Sequence, residues 1–253
     1  MTLEVRHLDV SIAVHTACRD LSFTLNAATS LAILGRNGAG KSTLLSTLAG
    51  LRPADAGSIA LDGRPLEDSL PRELAQRRGY CAQQQHDAFA ATVLETALIG
   101  RHPHLGRWAW ESAQDRALAQ QALARVGLAD LAQRQVQTLS GGERQRLAIA
   151  TLLVQAPSLY LLDEPLSHLD LNHAMATLHL LNAEVAQGRT LVAVLHDPNL
   201  ARRYFDHALL LFGDGSWAYG PAAEVINRDS LERLYGHPLR SINDNQDHWF
   251  IPE

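Results

Sequence analysis

One lysine, Lys41, stands in a chain whose Lys and Arg together number 22. It sits in the run Gly35-Arg36-Asn37-Gly38-Ala39-Gly40-Lys41-Ser42-Thr43, which fits the phosphate-binding pattern G-x-x-x-x-G-K-[ST]. Glycines at these positions let backbone N–H groups close round a phosphate without Cβ clashes. The lysine supplies a compact point charge for β- and γ-phosphates, where a planar guanidinium would not fit. The Ser42 hydroxyl is placed to ligate Mg²⁺. Taken alone, this loop leaves kinases, GTPases and many ATPases open.

Further segments carry chemistry of the same kind. Leu139-Ser140-Gly141-Gly142-Glu143-Arg144-Gln145-Arg146 reads as a helix start, with Ser140 as N-cap and Glu143 completing a capping box. Its paired glycines and free N–H groups suit a phosphate. Leu159-Tyr160-Leu161-Leu162-Asp163-Glu164 reads as a buried strand ending in carboxylates. At the carboxyl end of a parallel strand both face the ligand crevice. Asp163 is then placed to hold Mg²⁺ through water, and Glu164 is the candidate general base for an attacking water. His196 follows the apolar run 190–195, where a sensor of the γ-phosphate is needed.

The elements that must position these groups follow from periodicity. Residues 3–12 alternate as a strand, 21–25 form another, and 31–34 form a short buried strand feeding the phosphate loop. A helix is expected from Ser42 to Leu51, and a hairpin at Asp62-Gly63 after a strand from Ser58 to Leu61. Residues 86–138 change character and read as an inserted helical region. Beyond Leu159, strands (159–162, 190–195, 208–212) alternate with a helix from about 173 to 187. Such alternation implies a parallel sheet with helices on both faces, an α/β fold.

Together these segments resemble the nucleotide-binding subunits of ATP-binding cassette (ABC) transporters, over nearly the whole chain. The resemblance implies one ABC ATPase domain over residues 1–253. Its nucleotide-binding core would comprise 1–85 and 150–253, with a RecA-like parallel sheet and an N-terminal antiparallel β subdomain, and its helical signature subdomain 86–149. It makes Gly35 to Thr43 the Walker A loop, Ser140, Gly141, Gly142 and Gln145 part of the signature motif, and Asp163 and Glu164 the end of the Walker B strand. Ser167-His168-Leu169-Asp170 matches the D-loop, His196 is the switch histidine, and Gln83 is the Q-loop glutamine and a Mg²⁺ ligand beside Ser42 and Asp163. The implied cofactors are ATP and Mg²⁺, with Glu164, His196 and Lys41 as catalytic residues. The family commonly places an aromatic residue about two dozen positions before Walker A to stack on adenine. Here that count lands on Ile12, with His15 the nearest ring.

A narrower likeness rests on Gly100-Arg101-His102-Pro103-His104-Leu105-Gly106, on Glu164 to His173 and on Leu231-Glu232-Arg233-Leu234-Tyr235-Gly236. These are similar to segments of importers of iron chelates, haem and cobalamin. The ABC resemblance implies a second copy docked head to tail and a separate integral-membrane permease; the narrower likeness adds import, with an indirect substrate-binding protein and a peripheral place on the cytoplasmic face of a bacterial inner membrane. A soluble ABC ATPase of the iron–sulfur assembly type and an exporter subunit remain alternatives.

The bulk properties set limits. The net charge of -5 gives no reason to expect nucleic-acid binding. No apolar stretch approaches the roughly 18 residues a membrane span needs. Cys18 and Cys81 fit no metal or redox spacing and read as small buried apolar groups. His102 and His104 read as loop residues rather than metal ligands. Phe89, Val93, Trp108 and Trp110 form a candidate docking surface on the helical insert.

Overall fold

A computed structural model of the chain describes residues 1–12, 15–83, 90–106, 108–244 and 247–253. A sheet of six strands runs in the order β10-β9-β3-β8-β7-β6. Its members are β3 (Ser30–Gly35), β6 (Arg78–Cys81), β7 (Leu159–Asp163), β8 (Thr190–Val194), β9 (His207–Leu211) and β10 (Trp217–Pro221). All neighbours are parallel except β10, which pairs antiparallel with β9. The inner strands β3, β7, β8 and β9 are almost wholly buried and read as apolar runs because both faces are covered. Along β7, Leu159 and Leu161 join one core, while Tyr160 and Leu162 join the other.

The first core lies between this sheet, helix α1 (Lys41–Leu48) and an antiparallel sheet in the order β2-β1-β4-β5. That sheet comprises β1 (Leu3–Ile12), β2 (His15–Leu25), β4 (Ala56–Leu61) and β5 (Arg64–Pro65). The Asp62-Gly63 turn between β4 and β5 has φ of 51° and 75°, as a tight hairpin requires. β2 is longer than the segment expected from residues 21–25, because its first half pairs with β1 back to the Ile12–His15 rung. Helix α1 ends at Leu48 rather than Leu51: Gly50 turns to φ 61° and Leu51 is left 59% exposed.

The second core packs the opposite face of the sheet. It draws on α3 (Val93–Leu98), α4 (Ala113–Arg125), α5 (Gly141–Gln155) and α6 (Leu171–Ala186). Capping boxes start α3 at Thr92, α4 at Ser112 and α5 at Ser140. Helix α5 runs unbroken through residue 149 to Gln155. A short α2 (Pro71–Arg77) ties to this region through Arg72 Nε and Gln76 Nε2, which donate to the Pro103 carbonyl at 3.0 and 2.7 Å. His102 and His104 belong to a 3-10 helix, and His104 Nε2 lies 2.8 Å from the Gln155 carbonyl. Helix α4 is further latched to α6 by Arg125 Nη2, which donates to Glu184 Oε1 at 2.6 Å, while the Tyr160 hydroxyl donates to Glu184 Oε2 at 3.2 Å.

The chain closes with α7 (Pro198–Tyr204), α8 (Ala222–Val225), α9 (Arg228–Tyr235) and a hairpin of β11 (Leu239–Asp244) and β12 (Asp247–Pro252). Both cysteines are buried and neither is joined in a disulfide. Among the described residues no helix is long and apolar enough to cross a membrane.

Candidate nucleotide site

Strand order builds the site. β8 lies between β3 and β7, so the loop leaving β3 and the carboxylates ending β7 flank the turn that carries His196. β6 lies on the far side of β7 and leads to Gln83. All four strands are parallel, so all four carboxyl ends open on one edge of the sheet, the place where open α/β sheets bind ligands.

The loop from Gly35 to Lys41 ends in α1 with Gly40 as N-cap at φ 91°. A Cβ there would lie 2.3 Å from Ala17 Cβ and 3.4 Å from Ile12 Cδ1, so the β1–β2 hairpin presses on the loop so closely that only glycine fits. The same contact places Ile12, the residue expected at the base, directly beside the phosphate loop. No side chain caps α1 and no acidic residue lies in its first turn. Its free N–H groups and dipole therefore favour an anion. Lys41 is 6% exposed, and Nζ donates to the carbonyls of Gly35 at 2.9 Å and Arg36 at 3.1 Å. Burial lowers the pKa of its ammonium, while Glu164 and Asp163 act in the opposite direction.

Asp163 is 3% exposed at the end of β7. Burial raises the pKa of its carboxyl, a shift opposed by a hydrogen bond from the Ser42 side chain. Its Oδ1 is buried with no hydrogen-bond partner. An orphaned acidic oxygen beside a hydroxyl at the lip of a phosphate loop fits a hard divalent cation. Among the described residues no cluster of three His, Cys, Asp or Glu side chains could hold a metal ion alone. An ion at Asp163 and Ser42 would thus share its remaining ligands with phosphate oxygens and water.

Glu164 is held from three directions. Gln83 Nε2 donates to Oε2 at 2.8 Å, Ser167 Oγ donates to Oε2 at 3.1 Å, and His196 Nε2 lies 2.7 Å from Oε1. The Glu164 backbone has φ 51°, an uncommon conformation for a side chain of this size. It turns the carboxylate out of the strand line toward these partners. Ser167 closes the tight turn, its N–H donating to the Glu164 carbonyl at 3.1 Å. Ser167 falls in the expected D-loop segment, and the structure adds its hydroxyl to the partners of Glu164. The signal was present in Glu164-Pro165-Leu166-Ser167, where proline occupies the second position of a four-residue turn and brings its ends together.

The residues assigned to the signature lie elsewhere on the chain. Ser140 and Gly141 are exposed, and Ser140 Oγ accepts from Glu143 N at 3.3 Å. A Cβ on Gly142 would lie 2.9 Å from the His168 carbonyl, so the first turn of α5 packs on the segment after Glu164. Among the described residues no hydrogen bond joins Ser140, Gly141 or Gly142 to Gly35–Thr43. Gln145 behaves differently: it is 7% exposed and its Nε2 donates to the Glu164 carbonyl of the same chain at 3.5 Å. Asp170 caps α6, accepting from His173 N at 2.8 Å, and the His173 N–H and imidazole lower its carboxyl pKa.

Of the expected docking residues, Trp108 and Trp110 are 87% and 88% exposed. Val93 is corrected: as the first residue of α3 it is fully buried and belongs to the second core, shared with the central sheet. Phe89 lies outside the described residues, as do Gln84 and Gln85.

A family profile described as ABC transporter matches residues 18–167. The hemin import ATP-binding protein HmuV of Deinococcus radiodurans is 42% identical over 243 residues, covering 94% of this chain and 91% of that protein. The protein of the same name from Ruegeria is 38% identical, with 95% and 93% covered. Among solved structures, a transporter described as metal-chelate type, in an inward-facing conformation, superposes with a TM-score of 0.86 at 31% identity, covering 100% of this chain and 97% of that one. A dimeric ATP-binding cassette in a post-hydrolysis state with ADP and Pi superposes with a TM-score of 0.75 at 25% identity, covering 87% and 98%.

Proposed function

The chain belongs to the ABC transporter family of ATP-binding proteins, and from that premise we propose that it energises the import of hemin or a related metal chelate through a separate membrane permease. As a member of that family it is an ATPase. The observation that carries the narrower reading is the likeness to hemin import proteins along almost the full length of both chains.

The geometry supports a division of labour. Backbone N–H groups of the phosphate loop and Lys41 bind the phosphates. Glu164 takes the proton of the attacking water, its carboxylate oriented by Gln83, Ser167 and His196. His196 reaches from the next strand and senses the γ-phosphate. A Mg²⁺ ion held by Asp163 and Ser42, with Gln83 nearby, neutralises phosphate charge when bound. Lys41 already leans on its own loop carbonyls, so binding exchanges those bonds for phosphate oxygens.

The exposed first turn of α5 points to a second copy. In one chain Ser140 and Gly141 do not meet the phosphate loop. Head-to-tail pairing would bring them to the partner's γ-phosphate, and ATP would then act as substrate and as glue. Permease docking is assigned to the insert, where Trp108 and Trp110 offer large apolar surface in a stretch pinned by Arg72 and Gln76. The subunit would then lie peripherally on the cytoplasmic face of the inner membrane, with a substrate-binding protein acting on the far side.

The reading is tested by reconstituting the chain with its permease in lipid vesicles. ATPase rate is measured against binding protein loaded with hemin, a ferric siderophore or cobalamin. Stimulation by hemin above the others supports the proposal. Failure to co-purify with any permease would point to a soluble ATPase instead.

A further inference from the structure

We infer that the C-terminal segment braces the turn bearing His196, with Tyr235 and Asn199 as positioning residues for that histidine; the inference rests on the reading of His196 as γ-phosphate sensor. His196 lies between the last residues of β8 and the start of α7. Upstream, Leu195 N donates to the Ile33 carbonyl at 3.0 Å. Downstream, Asp197 caps α7, accepting from Asn199 N at 2.7 Å and Leu200 N at 3.3 Å. The side chain between them is half exposed and meets Glu164. None of these local hydrogen bonds holds the His196 carbonyl.

Contacts from the far end of the chain supply what is missing. The Tyr235 hydroxyl at the end of α9 donates to the His196 carbonyl at 3.4 Å. This is a long hydrogen bond, and a second contact supports the same segment. Asn199 Oδ1 accepts from Phe250 N at 2.8 Å, and Asn199 Nδ2 donates to the Phe250 carbonyl at 3.2 Å. Both ends of one amide are thus used on one residue of β12, as an extra rung would be. Arg203 of α7 also lies 5.9 Å from the Trp249 ring centroid.

The brace is itself anchored. Leu231 and Leu234 of α9 are buried at 0% and 1% exposure, and Phe250 at 7%. Leu239 N donates to Glu232 Oε1 at 2.8 Å, fastening the hairpin to α9. Burial, with Asp197 nearby, raises the Tyr235 phenol to about 12, so it remains a protonated donor at neutral pH. The segment from Arg228 onward therefore grips the sensor's turn at its carbonyl and at the first turn of the helix behind it. A group that must meet a phosphate within a fraction of an ångström gains from such support, since a misplacement of about 1 Å can cost as much as ~10²-fold in rate.

The test is a kinetic cycle on the full chain. Steady-state kcat and KM for ATP, and affinity for a non-hydrolysable ATP analogue, are measured for Tyr235→Phe, Asn199→Ala, His196→Ala and the two combinations with His196→Ala. The expected result is a fall in kcat of about 3- to 10-fold for Tyr235→Phe and about 10-fold or more for Asn199→Ala, with analogue affinity unchanged. In the His196→Ala background neither change costs anything further, because residues acting through one group are not additive. Asn199→Asp keeps the acceptor for Phe250 N and loses the donor, so an intermediate kcat is expected. Undiminished kcat in both single variants, or losses that multiply in the His196→Ala background, would overturn the brace. Wild-type turnover in His196→Ala would overturn the sensor reading on which the brace depends, a result distinct from either.

Discussion

Asp163 illustrates what burying a carboxylate costs a fold. Its carboxyl pKa is raised by burial and one oxygen has no partner. A carboxyl whose folded pKa lies above its unfolded value contributes no penalty at low pH, where it is neutral in both states. Its cost grows as pH rises from the unfolded value, about 4, toward the folded one, and is full above it. Asp163→Asn is therefore expected to raise the melting temperature of the nucleotide-free chain at pH 7 while abolishing Mg²⁺-dependent hydrolysis. A gain of about 1 kcal/mol corresponds to roughly 2–4 °C in a chain of this size. The gain should vanish below about pH 4. Calorimetry across pH checks this, and a lower melting temperature at pH 7 would mean that the carboxylate is well satisfied. At this scale the sequence was most legible where chemistry is local. The phosphate loop, the carboxylates after β7 and the capping serine of α5 all lie in contiguous motifs. Asn199 and Tyr235 were silent, because their partners lie 51 and 39 residues away.

Elements follow the sequence where both faces of a strand are buried, and depart from it where tertiary contacts decide. The runs ending in Asp163 and His196 announced themselves by four or more apolar residues in a row. The end of α1 did not, because Leu51 continues the helical pattern although Gly50 has already turned the chain. The terminal hairpin was not foreseen: among the described residues Leu239 and Phe250 face the core, while Ile242, Trp249 and Ile251 stay 36–40% exposed, which blurs the alternation. The insert illustrates the same limit, since an apolar residue at Val93 reads equally as core or as docking surface until its helix is placed. Trp108 and Trp110 are on the surface, so their truncation should leave the fold and the isolated chain's hydrolysis intact. Replacing both by Ala is expected to weaken association with the permease by at least about 10-fold, as loss of interface aromatic anchors does. Surface plasmon resonance on permease in nanodiscs measures it, and unchanged affinity would move the docking surface elsewhere.

The whole molecule brings together groups that the sequence scatters. Alternation after Leu159 implied a parallel sheet, but no local signal fixes the order β9-β3-β8-β7-β6. That order makes β8 the neighbour of both the phosphate-loop strand and the carboxylate strand. It thereby joins Glu164 to His196 across 2.7 Å. The first turn of α5 is exposed at Ser140 and Gly141 and, among the described residues, makes no hydrogen bond to its own phosphate loop, so ATP is expected to join two copies. Glu164→Gln tests this most directly. The amide retains an acceptor for Gln83 and Ser167 but cannot take a proton from water. ATP turnover should fall by at least about 10²-fold, with affinity for ATP preserved. Size-exclusion chromatography should show the variant as a monomer alone and as a dimer with ATP. Near-normal turnover, or a monomer that binds ATP without pairing, would contradict the account.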